Sequence, residues 1–154
     1  MPLDQVIIKE REDKIRSLNL DPDEILSKLN RDTLPSIERI DEAVKYFKNE
    51  LDFSNKQFQS FPHLLNLSIE DNIKPKVEYF KNELGFENKQ FQSNPTLLGY
   101  SLEKRIKPRT EFLRTKQRNI PSYFLSSSDK RFCKEIAKCP LEEYQSFKED
   151  YLKK

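Results

Sequence analysis

The stretch VKYFKNELDFSNKQFQSFPHLLNLSIEDNIKP, Val44 to Pro75, is followed after one residue by VEYFKNELGFENKQFQSNPTLLGYSLEKRIKP, Val77 to Pro108, and the two agree at 22 of 32 positions without a gap. The step from Val44 to Val77, a period of 33, restricts the fold to architectures that stack one supersecondary unit on the next, because each unit buries its apolar face only against its neighbours. Only two glycines and two alanines, Ala43 and Ala137, occur in the chain. Ankyrin-type hairpin loops need glycines, and tetratricopeptide-type helix crossings need small residues, so neither unit can be built from this sequence.

The punctuation within one unit predicts a long helix, a short helix and a tight turn. Ser68 caps a helix with Asp71 as its third residue, and Ile69, Ile73, Val77, Phe80 and Leu84 follow at spacings of four, four, three and four, one apolar stripe. Pro75 and Pro108 sit inside this pattern, where each should kink the helix or shift its backbone bonding. Gly85 ends the helix as a left-handed cap, with Asp52 in its place one unit earlier. A short helix is expected over about Glu87–Gln92, preceded in the earlier copy by a capping box of Ser54 and Gln57. Pro95 stops it, and Thr96–Gly99 reads as a turn or 3₁₀ piece carrying Leu97 and Leu98 inward.

Degenerate copies flank the pair, giving a single domain over 1–154: units 1–43, repeats 44–76 and 77–109, and a diverged repeat with a C-terminal cap over 110–154. Pro2–Leu18 reads as an incomplete first unit with Leu3, Val6, Ile7, Ile15 and Leu18 on one side. Asp21, Pro22 and Glu24 start a helix through Leu29. LPSIERIDEAVKYF then repeats the long-helix pattern with one residue fewer. Beyond the pair, Thr110–Arg118 begins another unit, Pro121–Leu125 and Ser128–Lys138 form a cap, and Pro140–Leu152 closes the array with Leu141, Tyr144, Phe147, Tyr151 and Leu152 inward.

This unit, P-x-L-L-x-x-S-[IL]-E-x-x-I-K-P, resembles that of the mitochondrial transcription termination factor (mTERF) family. Pro95-Thr96-Leu97-Leu98, Ser101-Leu102-Glu103, Ile106-Lys107-Pro108-Arg109 and Phe112-Leu113 carry the resemblance, repeated from Pro62 to Phe80 and closed by Glu83-Leu84-Gly85. Ser128-Asp129-Lys130-Arg131-Phe132 and the last helix are similar to the family's C-terminal cap, so the likeness spans about residues 20–154. It implies an all-α fold, an α-solenoid of about four mTERF-like units of two α-helices and one 3₁₀ helix, wound into a superhelical crescent. It also implies nucleic-acid binding in mitochondria or chloroplasts, in transcription termination or initiation, RNA splicing or ribosome assembly. Met1-Pro2-Leu3-Asp4 does not read as a transit peptide, and neither a signal peptide nor an apolar run of membrane-spanning length is found, so a soluble chain is expected.

Charge indicates where such a site should lie. The net value of +2 divides into −3 over residues 1–50, −1 over 51–100 and +6 over 101–154, with the densest basic run between Glu103 and Arg118. On a wheel at about 100° per residue, Lys107, Arg114 and Arg118 fall opposite the stripe of Leu102, Ile106 and Leu113. Arg105, Arg109 and Lys116 fall beside it, where stems pack and heads reach out. With Lys104, and with Lys74, Lys76 and Lys81 one unit earlier, these are the candidate phosphate contacts. Asp71-Asn72 becomes Lys104-Arg105 in the next copy, a charge change within a scaffold otherwise held nearly constant. The competing reading is a solvated helix face.

Phe61, Phe91 and Tyr100 could stack on bases, though aromatics at these spacings also build cores. His63, the only histidine, and Cys133 and Cys139, six apart, assemble neither a metal site nor a catalytic triad, and the cysteines read as free thiols. No enzyme, cofactor or metal is expected. The functional reading is a monomeric nucleic-acid-binding protein, double-stranded DNA favoured and RNA possible; a protein-binding scaffold is the rival.

Overall fold

The computed structural model describes residues 4–30 and 34–154. It is all-helical, with no strand among the described residues, and it falls into two compact units that divide after Gly99.

The first unit contains α1 (Gln5–Ser17), α2 (Pro22–Leu26), α3 (Ile37–Leu51), α4 (Asn55–Ser60), α5 (Lys74–Leu84) and α6 (Asn88–Ser93), with 3₁₀ turns at Pro62–Asn66 and Pro95–Gly99. Its caps keep the period of the sequence. Ser36 and Ser68 each accept a hydrogen bond from the third helical N–H. Asn19, Asp52 and Gly85, one repeat apart from each other, all end their helices in the left-handed conformation, φ 62°, 55° and 67°. The N–H of Phe53 then reaches Phe47 O at 3.1 Å, and that of Phe86 reaches Phe80 O at 3.0 Å, the closing bond of a Schellman motif.

Pro75 shifts the helix as its missing N–H requires. An α-helical Pro75 would leave Asp71 O without a donor and press its ring on that carbonyl. Ile69–Ile73 instead winds as a π-turn, in which Ile73 N–H donates to Ser68 O at 3.0 Å and Lys74 N–H to Ile69 O. α3 has Glu42 where the prolines stand, contains one residue fewer between its caps, and is α-helical throughout. The residue it lacks is the one that the π-turn absorbs.

The short helices close each unit with a ring cluster. Phe58 and Phe91 are fully buried. Phe47 and Phe53 stack at 5.2 Å with Phe58 edge-on at 5.9 Å, and Phe80 and Phe86 stack at 5.3 Å with Phe91 edge-on at 5.6 Å. The polar residues of the shared NKQFQS segment join one repeat to the one before. Asn55 Nδ2 donates to Asn19 O at 2.9 Å, Asn88 Nδ2 to Asp52 Oδ2 at 3.3 Å, and Gln92 Nε2 to Leu51 O at 3.0 Å, so the carbonyls and the turn at a helix end find partners in the following unit. The Pro-x-Leu-Leu turns insert Leu64, Leu65, Leu97 and Leu98, all fully buried. Leu98→Ala and Leu65→Ala are each expected to lower stability by about 2–5 kcal/mol, as read by thermal melting; a neutral result would contradict an inward turn.

The second unit holds a π-turn at Leu102–Ile106, α7 (Lys107–Thr115), α8 (Asp129–Phe132), a π-turn at Cys133–Ala137 and α9 (Leu141–Leu152). Ser101 and Ser128 cap its first two helices, accepting from Lys104 N–H and Arg131 N–H at 3.1 and 3.2 Å. Ser128 follows Ser101 sooner than Ser101 follows Ser68, and the shortfall equals the length of one short helix, for which no counterpart follows α7. Phe112 packs instead against Tyr144 and Phe147 of α9, at 5.0 and 5.2 Å.

Some ends depart from expectation. In α1 only Ile8 and Ile15 are buried, two turns apart, whereas Val6 and Ile7 are exposed; Leu3 lies outside the described residues. α2 stops at Leu26, short of Leu29. α6 starts at Asn88, with Glu87 as its N-cap. In α9 Tyr144 is buried, but Leu152, in the last turn, is exposed.

Candidate nucleic-acid interface

The structure sorts the cationic candidates by what holds each head group. Arg109 is fully buried: its guanidinium donates to Phe124 O at 2.9 Å, Ser127 O at 2.8 Å and Asp129 Oδ1 at 3.0 Å, and lies 4.5 Å from the Phe132 ring centroid. Lys76, its equivalent in the preceding repeat, is buried with its Nζ on Leu98 O at 2.8 Å, and burial lowers its pKa. The expectation that Arg109 reaches water is corrected, and Lys76 likewise is no surface cation. The Pro-x-Leu-Leu turn and its counterpart Pro121-Ser122-Tyr123-Phe124 aim a carbonyl into the interior at this position, and a long cation satisfies it.

Arg105 is half-buried. Its Nε donates to Leu125 O at 2.9 Å and its Nη2 to Ser127 O at 2.6 Å, and the guanidinium lies 5.1 Å from the Tyr100 ring. Arg118 lies outside the helical face assigned to it, because α7 ends at Thr115 and Gln117 turns left-handed at φ 55°. Its Nε donates to Ala137 O at 3.1 Å. Lys74, Lys107, Arg114 and Lys116 remain at the surface in ion pairs with Glu70, Glu103, Glu111 and Glu143 respectively. Lys81 and Lys104 make no ion pair among the described residues.

Around Lys74 the surroundings oppose an anion. A groove of about 230 Å³ between α3 and the π-turn that leads into α5 is lined by Glu42, Glu50 and Glu70, which outnumber Lys45 and Lys74, with Tyr46 in its wall. Burial, then Glu50, Glu78 and Glu70, push the Tyr46 hydroxyl up to about 12. Phosphate would be repelled from that groove.

The second unit presents the opposite field. Lys104 is the third residue of its helix, and Lys130 and Arg131 are the second and third of theirs, positions where the helix dipole favours carboxylates by about 0.3–1 kcal/mol. Asp71 holds the third position in the preceding repeat. Arg105, bonded to the carbonyl beside the Ser128 cap, brings the two cationic helix starts within one side chain's reach. Lys104, Lys130 and Lys134 are exposed and unpaired among the described residues, while Arg131 pairs with Glu135 at 3.0 Å. A reading of the segment from Ser128 only as an end cap leaves Lys130, Arg131 and Lys134 outside the candidate set. The repeated Lys-Arg dipeptide at 104–105 and 130–131 is the sequence signal that points to them.

The aromatic candidates are largely packed. Phe91 is core. Phe61 lies against Gly99, where a Cβ would come within 2.8 Å of its ring, and against His63, itself exposed. Both cysteines are free, and burial, then the neighbouring Cys139, push the Cys133 thiol up to about 12, which keeps it protonated. Among the described residues no cluster of metal-ligating side chains is found, and no helix is long and apolar enough to cross a membrane.

The family model mTERF matches residues 4–133. The match reaches back through α1 and stops before α9, so it starts earlier and ends earlier than the resemblance read from the sequence. No protein of curated function matches the chain.

Proposed function

The chain belongs to the mTERF family, a membership that points to nucleic-acid binding in organellar gene expression, and from it we propose that the protein binds double-stranded DNA through phosphate contacts and acts in transcription termination or its regulation. The observation that carries this reading is the pair of cationic helix starts in the second unit. Lys104, Lys130 and Arg131 stand where helix stability favours acids, and residues 101–154 hold a net charge of +6. Cations kept against the dipole, with Lys104 and Lys130 unpaired among the described residues, suit a polyanion that would release its counterions to them. The contact set is Lys104, Lys130, Arg131 and Lys134, with Lys107 beside them.

The test is a duplex titration by fluorescence anisotropy at two or more salt concentrations. Replacing Lys104, Lys130, Arg131 and Lys134 together by Gln is expected to leave the helical circular-dichroism signal intact. It should weaken binding at least about tenfold and flatten the salt slope by about three units. Unchanged affinity and slope would remove the interface from this edge. One observation favours a second reading: the carboxylate-lined groove of the first unit suits a basic segment of a protein partner, which would bind without duplex and survive the quadruple substitution.

A further inference from the structure

The loss of the short helix after α7 leaves a cleft of about 380 Å³ whose walls include Arg118, Asn119, Tyr123 and Lys138. Comparison with the other repeats shows that this cleft is lined differently from a core that has lost a part. The turn still buries an apolar pair, Phe124 and Leu125, spaced before Ser128 as Leu97 and Leu98 are before Ser101, while Tyr123, just ahead of that pair, is 62% exposed. Asn119 stands where the period of the repeat would place the counterpart of Phe86, a ring of the buried cluster. Beside that buried pair, the cleft presents a planar ring open to water, an amide and two cations.

We propose that this cleft binds one nucleoside phosphate, its base stacked on Tyr123 and its phosphate met by Arg118 and Lys138. An exposed tyrosine supplies a face on which any base can stack. Pro121 and Ile136 add apolar surface to the lining. Arg118 is oriented by its Nε bond to Ala137 O, and its terminal nitrogens make no other hydrogen bond among the described residues. Lys138 is fixed at the rim by its left-handed backbone, φ 57°, and makes no ion pair among them. Glu135 also borders the cleft, but its carboxylate is held by both contacts from Arg131 Nε, at 3.0 and 3.1 Å, which offsets its repulsion of a phosphate. The ligand chemistry has two sources, a free nucleotide or an unpaired nucleotide of a strand. The cleft stands on its own geometry, apart from the duplex contacts proposed above.

The chain has no tryptophan, so Tyr123→Trp installs a single reporter that keeps the stacking face. Titration of this full-length variant with adenosine monophosphate, and separately with a duplex carrying a short single-stranded overhang, is expected to quench its fluorescence. Quenching by the monophosphate identifies a free nucleotide as sufficient; quenching by the overhang alone identifies an unpaired nucleotide in a strand. Tyr123→Ala in the native background should weaken binding of the quenching probe by about tenfold and leave the melting temperature and blunt-duplex affinity unchanged, since the side chain lies in solvent. If neither probe quenches Trp fluorescence and Tyr123→Ala leaves overhang affinity unaltered, the proposal fails, and blunt-duplex binding in the same experiment leaves the duplex reading standing. A chain that binds no duplex but is quenched by the monophosphate separates the two readings in the other direction.

Discussion

Arg109→Ala is expected to unfold or severely loosen the second unit, at a cost of about 3–5 kcal/mol. The substitution leaves Phe124 O without its donor, removes one of the two donors to Ser127 O, Arg105 remaining, and empties the space beneath the Phe132 ring. Asp129 loses one of two cationic partners, Lys148 at 3.1 Å remaining. Burial pushes the Asp129 carboxyl up, but hydrogen bonds from Arg109 and Lys148 outweigh it and hold the pKa below its ordinary value. A depressed carboxyl contributes stability above its unfolded pKa and loses it as pH falls through the folded one, so part of the Arg109 contribution should disappear under acid. Thermal melts of the variant and the parent at neutral pH and in acid check both statements. A variant as stable as the parent would show that the buried guanidinium is dispensable. Lys76 offers the contrast, with a single bond to Leu98 O.

Phe91→Ala should be comparably damaging, by about 3–5 kcal/mol. Phe91 has no exposure and closes the cluster with Phe80 and Phe86, and the helix that carries it also supplies the Asn88 and Gln92 bonds to the end of α3. Emptying the ring position therefore undermines two attachments of α6, apolar and polar. Denaturant melts followed by circular dichroism measure the loss, with Phe58→Ala as the companion variant in the preceding repeat. A loss below about 1 kcal/mol in both would mean that the short helices are not part of the cooperative core.

Much of the scaffold is legible in the sequence because caps and breakers act locally. Ser68, Ser101, Asp52 and Gly85 each do in the structure what their residue type dictates, and Pro75 and Pro108 force the change in backbone bonding expected of them, which takes the form of a π-turn. The site is less legible. A helical wheel gives the angle of Arg109 but not the depth of what lies opposite, and the carbonyls that bury it belong to a segment 15 and 18 residues further on. Lys130, Arg131 and Lys134 escape a search at the fixed period because the shortened spacing of the serine caps hides the repeat that Ser128 begins. Aligning Phe124-Leu125 with Leu97-Leu98 on the cap serines that follow them places Tyr123 just outside the buried pair.

Between a serine cap and the left-handed cap that follows it, the π-turn lets the long helix itself, and not a loop, change length. An extra residue in an ordinary helix would rotate everything after it by about 100° and carry the inward stripe toward water. Here the wider turn takes up the residue between a serine cap and a left-handed cap, so Phe80 keeps the station that Phe47 holds in the shorter α3. Repeat number and repeat length are thereby uncoupled from the alignment of the interior. A fixed-window search for internal symmetry falls out of register at α3, even though the side chains on either side of the inserted residue still occupy equivalent places.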